Sequence, residues 1–274
     1  MTHFAVLVVG DIEYQLEPFQ ENNMDDCPKK YMEWVSKTDE LKENFENDSR
    51  EMLVLANGDV VEPYDDKYRN PEKFGISFGG GDKEPNYIYP EGSVLKEFPM
   101  TKIYKDVGEY AKDYEGYTID PEKGEYGYWH NPNSKWDWYQ MGGRFSDRLL
   151  FKDGVEGNSC LVKHLDWEGM KANRIKKAEI WWQNWLNSDS YRKGHTSDYE
   201  YDVHNGETKE EYIKRHSTLF YDIVVDREWY SIGEHGWWGV LNEEKEYSDW
   251  QSECDRIISK LDPNEWISVV DCHV

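Results

Sequence analysis

The chain has 274 residues, of which 38% are hydrophobic and 15% are aromatic, so a disordered acidic chain is excluded and a folded, aromatic-rich core is indicated. Its 56 acidic and 32 basic residues give a formal net charge of −24. That charge disfavours nucleic-acid binding, whose affinity comes from Lys and Arg neutralising phosphates. No apolar run is long enough to span a membrane, so we expect no membrane partner and a cytoplasmic location.

The four cysteines are far apart in the chain and form no CxxC pair. Their positions are Cys27, Cys160, Cys254 and Cys272. This spacing indicates neither a zinc knuckle nor a disulfide framework, and it favours reduced thiols.

The first half of the chain begins with an apolar, β-branched run from Phe4 to Val9, which predicts a strand covered on both faces. A helix is predicted over 25–45, with Pro28 near its first turn. The dipeptide Asn57-Gly58 predicts a hairpin turn, and a short helix is predicted over 103–114. Residues 62–100 are rich in Pro, Gly, Asp and Tyr and are predicted to be loop-like.

The second half contains a long predicted helix that Asp166 caps, with a stripe of Trp residues at helical spacing. The polar segment 187–206 is predicted to be a loop. Thr208 and Glu211 have the spacing of a capping box for the next helix.

The last quarter of the sequence predicts a hairpin around Asp226-Arg227, then a helix, then a final strand in "EWISVVDCHV". Ser248 and Gln251 are predicted to cap this helix. Its predicted inner face consists of Trp250, Cys254, Ile257, Ile258 and Leu261.

These elements together predict an α+β fold. We expect a mixed, largely antiparallel sheet with the N- and C-terminal strands near its centre, packed by several helices. A single domain over 1–274 is predicted, with loop-rich insertions at 62–100 and 187–206.

The first candidate chemistry is in the last strand. Neighbouring residues of a strand point to opposite faces, so Asp271 and His273 share a face and Cys272 points away. A carboxylate beside an imidazole orients it, as a general base requires, and we predict that Asp271 orients a catalytic His273. The alternatives are a structural hydrogen-bonded pair and, for Cys272, a small apolar core residue.

A metal site is a weaker hypothesis. His3, His235, His273 and Asp271 could converge if the terminal strands pair, but no local ligand spacing such as HExxH exists. We therefore assign no metal ligand, and the sequence does not identify a cofactor.

The second candidate is "HNPNSKWDWYQMGGRF". Alternation along a strand would place Trp136 and Trp138 on one face. Because glycine has no Cβ atom, Gly142-Gly143 would let the backbone pass close to a neighbouring group. Arg144 would then lie beside aromatic rings, an arrangement that suits a nucleotide-like ligand. The alternative is a buried Arg144 paired with Asp137 or Asp147.

The third candidate is "GEHGWWG", from Gly233 to Gly239. Backbone N–H groups exposed in such a glycine-rich turn can bind an anion beside Trp237 and Trp238. The alternative is a tight connection that packs both indoles into the core.

Several stretches together resemble a family of uncharacterised proteins of tailed bacteriophages and prophages. They are "HFAVLVVGD", "QLEPFQEN", "YGYWHNPNSKWDWYQMGGRF", "LDWEGM", "EWYSIGEHGWWGVLNEEKEYSDW" and "VVDCHV", about half of the chain. In members of that family the position of Phe145 is often Trp and that of His235 is often Met. Carried over motif by motif, the resemblance keeps Arg144, Trp238 and the Asp271/His273 pair as candidates, and it implies a setting in the host cytoplasm.

Three functions follow as hypotheses. The first is an accessory protein that binds a small anionic, nucleotide-like ligand, with sequestration or counter-defence as its role. The second is a hydrolase of a nucleotide-like substrate that uses the Asp271/His273 pair. The third is an acidic inhibitor that docks on a basic host protein.

Overall fold

The computed structural model describes residues 3–70, 87–235, 241–242 and 245–274. The chain folds into two compact units: one of Met1–Glu33 with His130–Val274, and one of Trp34–Trp129. The single-domain organisation stays a prediction. Among the described residues, no helix has both the length and the apolar character needed to cross a membrane.

The first unit is built on a six-stranded sheet. The C-terminal strand, Trp266–His273, pairs antiparallel with the N-terminal strand, His3–Val9, at the centre. Outward from the N-terminal strand lie a parallel strand, Asp222–Val225, and then Glu228–Ser231. Ser159–Leu161 and Trp138–Met141 both pair antiparallel with the C-terminal strand. The predicted α+β fold, with a mostly antiparallel sheet and central terminal strands, is confirmed.

The two faces of this sheet are apolar, as the unbroken hydrophobic runs predict. One face places Leu7, Val9, Ile267 and Val269 in the larger core cluster. The opposite face places Val6, Val8, Val270 and Cys272 in a second cluster. Since side chains alternate along each strand, His3, Asp271 and His273 belong to the face of the larger cluster.

Helices cover the larger cluster. The long helix, Trp167–Leu186, begins where predicted, and the Asp166 carboxylate accepts a hydrogen bond from the Gly169 N–H group. The last helix, Tyr247–Ile258, buries Trp250, Cys254 and Ile257. Its predicted side-chain cap is wrong, because the helix begins after Glu246 and no side chain caps it.

The remaining elements of the first unit are short. The predicted capping box is present: Thr208 and Glu211 cap helix Lys209–His216. Asp226 and Arg227 have φ values of 54° and 62°, as a two-residue hairpin turn requires. The other helices are Ile12–Leu16 and Asp189–Arg192, with 3₁₀ turns at Glu17–Phe19, Lys29–Tyr31, Gly143–Phe145 and Val162–His164; the other strand pairs are Leu149–Leu150 with Glu156–Gly157 and Glu234–His235 with Leu241–Asn242.

The second unit contains a three-stranded antiparallel sheet of Val60–Val61, Ser49–Val54 and Val94–Pro99. The predicted hairpin around Asn57-Gly58 forms its first half. The strand Val94–Pro99 lies in a segment that the sequence predicts to be loop-like. A second pair joins Glu33–Ser36 to Gly127–His130, and the helices are Thr38–Asn47, Met100–Ile103 and Val107–Asp113, with a 3₁₀ turn at Asp66–Tyr68.

Two helix predictions in this region are wrong in extent. The helix predicted over 25–45 begins only at Thr38, because residues 33–36 form a strand paired with a segment about 90 positions away. The helix predicted over 103–114 is two short helices, of which the second starts where Asp106 accepts hydrogen bonds from two backbone N–H groups.

Candidate functional site

The pairing of the terminal strands brings two histidines together. His3 lies directly opposite His273 in the antiparallel register, and their ring centroids are 5.0 Å apart at an angle of 71°. We call these two residues, with the carboxylates that contact them, the His–Asp site. The sequence analysis named both histidines, but only the strand register makes them neighbours.

Each imidazole contacts a different carboxylate. His3 Nδ1 lies 2.8 Å from Asp271 Oδ1, and His273 Nδ1 lies 2.6 Å from Asp137 Oδ1. The prediction that Asp271 orients His273 is therefore wrong: Asp271 contacts His3. Asp137 reaches His273 because its segment continues alongside the C-terminal strand, where the Asp137 N–H group donates to the His273 carbonyl at 2.9 Å.

The ionisation of the carboxylates decides the roles of the ring nitrogens. A carboxylate that is ionised only accepts hydrogen bonds, so the Nδ1 atom beside it donates, and Nε2 of a neutral ring is then an acceptor. Within the part of the chain that the structure describes, neither Nε2 has a hydrogen-bond partner. This is the arrangement in which a carboxylate orients an imidazole for proton transfer.

The Gly142-Gly143 turn holds the Asp271 oxygen that His3 does not contact. The Arg144 N–H group donates to Asp271 Oδ2 at 2.9 Å, so both oxygens of this buried carboxylate are engaged. Gly143 has a φ of +52°, and a Cβ atom there would lie 2.4 Å from Asp271 Oδ2; a Cβ atom at Gly142 would lie 2.6 Å from the Asn158 side chain. The glycine backbone therefore does pass close to other groups, as predicted, and these groups are the Asn158 and Asp271 side chains.

Trp138 covers the His–Asp site. Its indole stacks on His273 at 5.3 Å and 20°, and it meets His3 edge-on at 5.3 Å. The residue is still 43% exposed, so an indole surface remains open to solvent beside both imidazoles.

Trp136 does not join Trp138. The strand begins only at Trp138, so the alternation assumed from the sequence does not reach back to Trp136. Trp136 is buried, its Nε1–H group donates to the Leu16 carbonyl at 2.9 Å, and it packs edge-on against Tyr139. Because both its polar group and its faces are used inside the protein, Trp136 offers no stacking surface to a ligand.

The Arg144 side chain is exposed. The alternative of a buried Arg144 paired with Asp137 or Asp147 is therefore wrong. Of the predicted turn from Gly233 to Gly239, residues 236–239 and the His235 side chain lie outside the described residues.

Cys272 faces away from the imidazoles into the second core cluster. Burial raises the pKa of its thiol well above the usual range, and the nearby carboxylates of Asp222 and Asp271 raise it further. A thiol in this state is not a nucleophile, so the interpretation of Cys272 as a small core residue is confirmed.

Residues 3–70, 87–235 and 245–274 contain no group of three His, Cys, Asp or Glu side chains arranged to hold a metal ion. The chemistry that the His–Asp site could perform with its own groups is proton transfer through the two Nε2 atoms, on side chains that are 10% and 7% exposed.

Comparison with known proteins gives no relative. No protein-family model, no curated protein and no solved structure matches the chain.

Proposed function

We propose that this protein hydrolyses a phosphoester bond of a nucleotide-like substrate at the His–Asp site. The observation that carries the proposal is the pair of carboxylate-held imidazoles, His3 with Asp271 and His273 with Asp137, whose rings are 5.0 Å apart. One imidazole of such a pair can accept a proton while its neighbour donates one.

The proton transfers of the proposed reaction use only the two imidazoles and a water molecule. Nε2 of neutral His273 removes a proton from water, and the water oxygen attacks phosphorus. The bond from phosphorus to the leaving oxygen breaks, and protonated His3 gives its Nε2 proton to that oxygen. The products are a phosphate ester with one ester bond fewer and an alcohol. Positioned acids and bases each contribute about 10²- to 10⁴-fold to such a reaction.

Two exposed side chains are proposed to bind the substrate. The open surface of Trp138 would stack a planar base, because indole rings form offset stacks with other aromatic systems. Arg144 would hold a phosphate, for which the planar guanidinium is well suited. Trp136 is left out of the proposal, because it is buried.

The resemblance to proteins of tailed bacteriophages supplies the biological setting. In the cytoplasm of an infected host, an enzyme of this kind would remove a nucleotide signal, which is a counter-defence role.

Binding without turnover is the second candidate. The observation that favours it is the cover that Trp138 places over His273, whose side chain is only 7% exposed. A site that stacks a ligand on Trp138 and keeps it away from both Nε2 atoms would sequester the ligand.

One experiment separates the candidates. The purified protein is incubated with a panel of nucleotides and signalling dinucleotides, filtered and heated, and both fractions are separated by chromatography. A new product that disappears in His273→Gln supports the hydrolase. A compound that is depleted and then released intact supports sequestration. An unchanged panel contradicts both and favours the acidic inhibitor of a host protein.

The matched control is His164→Gln. His164 is exposed, and its side chain takes no part in the His–Asp site. Product formation should be the same in this variant and in the natural protein, and circular dichroism checks that both Gln variants are folded.

A further inference from the structure

A second feature of the first unit is a cleft of about 240 Å³ between the long helix and the segments before and after it in the chain. Three cations line it: Arg148, Arg174 and Lys177. Leu150, Met170 and Phe220 supply apolar wall. We call this the cationic cleft.

The cations of the cleft have no carboxylate partner. Asp147 and Glu156 also line the cleft, yet among the described residues no carboxylate oxygen lies within 4.0 Å of a nitrogen of these three cations. Arg148 and Lys177 instead lie over the aromatic rings of Phe145 and Trp181, at 4.4 and 5.1 Å.

Arg215, in the same unit, is by contrast held by carboxylates. Arg215 is held by Asp202 at 2.7 Å and by Glu207 at 2.9 Å. The chain has 56 acidic residues for 32 basic ones, so carboxylate partners are plentiful. Three unpaired cations around one cleft concentrate positive charge in a strongly acidic protein.

The charges also act on one another. Desolvation of its guanidinium and the neighbouring charge of Arg174 lower the pKa of Arg148, although the residue as a whole is exposed. Arg174 and Lys177 are three positions apart on the long helix, which places them on the same side of it. A bound anion would relieve this repulsion, because its charge is opposite to that of the three cations.

We propose that the cationic cleft binds a small phosphate monoester, with its phosphate between Arg148, Arg174 and Lys177 and its organic group against Leu150 and Phe220. Arginine binds phosphate with two parallel hydrogen bonds, and lysine binds it as a point charge. The cleft volume of about 240 Å³ leaves room for one phosphate with a small ring. The site is separate from the His–Asp site and does not depend on the proposed hydrolysis.

The test is calorimetric titration with two probes, phenyl phosphate and phenylacetate, which carry the same ring on a phosphate and on a carboxylate. We expect saturable binding of phenyl phosphate and much weaker binding of phenylacetate. Arg174→Gln and Arg148→Gln should each weaken phenyl phosphate binding about tenfold or more, as expected for the loss of a hydrogen bond to a charged group.

The matched control is Arg192→Gln, which removes an exposed arginine of the same unit that is paired with Asp189. It should leave the affinity unchanged. Both cleft variants should fold, because each removes a like-charge contact and no ion pair, and thermal melting checks this.

Three results would overturn the proposal. Absence of saturable phenyl phosphate binding at millimolar concentration removes the site. Equal affinity in the natural protein and in both cleft variants places the phosphate elsewhere. Equal affinity for phenylacetate and phenyl phosphate shows that the cleft does not select phosphate.

Discussion

Substituting Gly143 by alanine tests how the glycine turn supports the His–Asp site. A Cβ atom at this position would lie 2.4 Å from Asp271 Oδ2, so the carboxylate must move. Its movement breaks the 2.9 Å hydrogen bond from the Arg144 N–H group.

Two costs add in this variant. Alanine at a φ of +52° costs about 1–2 kcal/mol relative to glycine. Loss of a hydrogen bond to a buried carboxylate costs about 1.5–3 kcal/mol. The free energy of unfolding should therefore fall by about 2.5–5 kcal/mol.

Gly154→Ala is the matched control. Gly154 lies in the same unit with a φ of +85°, and a Cβ atom there would meet nothing within 4 Å. It should lose only the backbone cost of about 1–2 kcal/mol. Urea denaturation of both variants gives the difference. If Gly143→Ala loses no more stability than Gly154→Ala, within about 0.5 kcal/mol, Asp271 does not depend on this turn.

Two further predictions concern ionisation. Hydrogen bonds from Tyr31, Lys30 and Arg227 lower the pKa of Glu17 to about 2, so the folded state should lose stability as pH falls from about 4.5 to about 2. Urea melts of Glu17→Gln should lack this part of the pH dependence. A pH profile identical to that of the natural protein would contradict the Glu17 contacts. Burial raises the pKa of Cys160 to about 11 and that of Cys254 to about 12. Neither thiol of the folded protein should therefore react with iodoacetamide at mildly alkaline pH, whereas both should react in denaturant. Mass spectrometry of tryptic peptides measures the labelling, and a labelled Cys160 or Cys254 in the folded protein would contradict the prediction.

Local sequence patterns predict much of the first unit. The apolar run at Phe4 to Val9, the capping box at Thr208 and the hairpin at Asp226-Arg227 each depend on residues close in sequence, and each is found where expected. The helix predicted over 25–45 fails in its first half, because a strand pair with a distant segment competes with local helix propensity.

The sequence predicts only part of the His–Asp site, because the rest depends on pairing between segments that are distant in sequence. Alternation along one strand places Asp271 and His273 on one face, but which carboxylate contacts which imidazole depends on the register between the two ends of the chain. Asp137 joins the site through a backbone hydrogen bond to residue 273. The cationic cleft was not predicted, since Arg148 and Arg174 come together only when the long helix packs on the sheet.

The most direct test of the proposed hydrolysis compares two substrates that differ only in their leaving group, a p-nitrophenyl and a methyl ester of the same nucleoside monophosphate. Nitrophenolate leaves without a proton, so an enzyme that lacks its general acid should still cleave the nitrophenyl ester. We predict that His3→Gln loses about 10²-fold or more on the methyl ester and little on the nitrophenyl ester, whereas His273→Gln loses activity on both. Equal rates for both variants and the natural protein, or no cleavage of either ester, would contradict an acid–base role for the paired histidines.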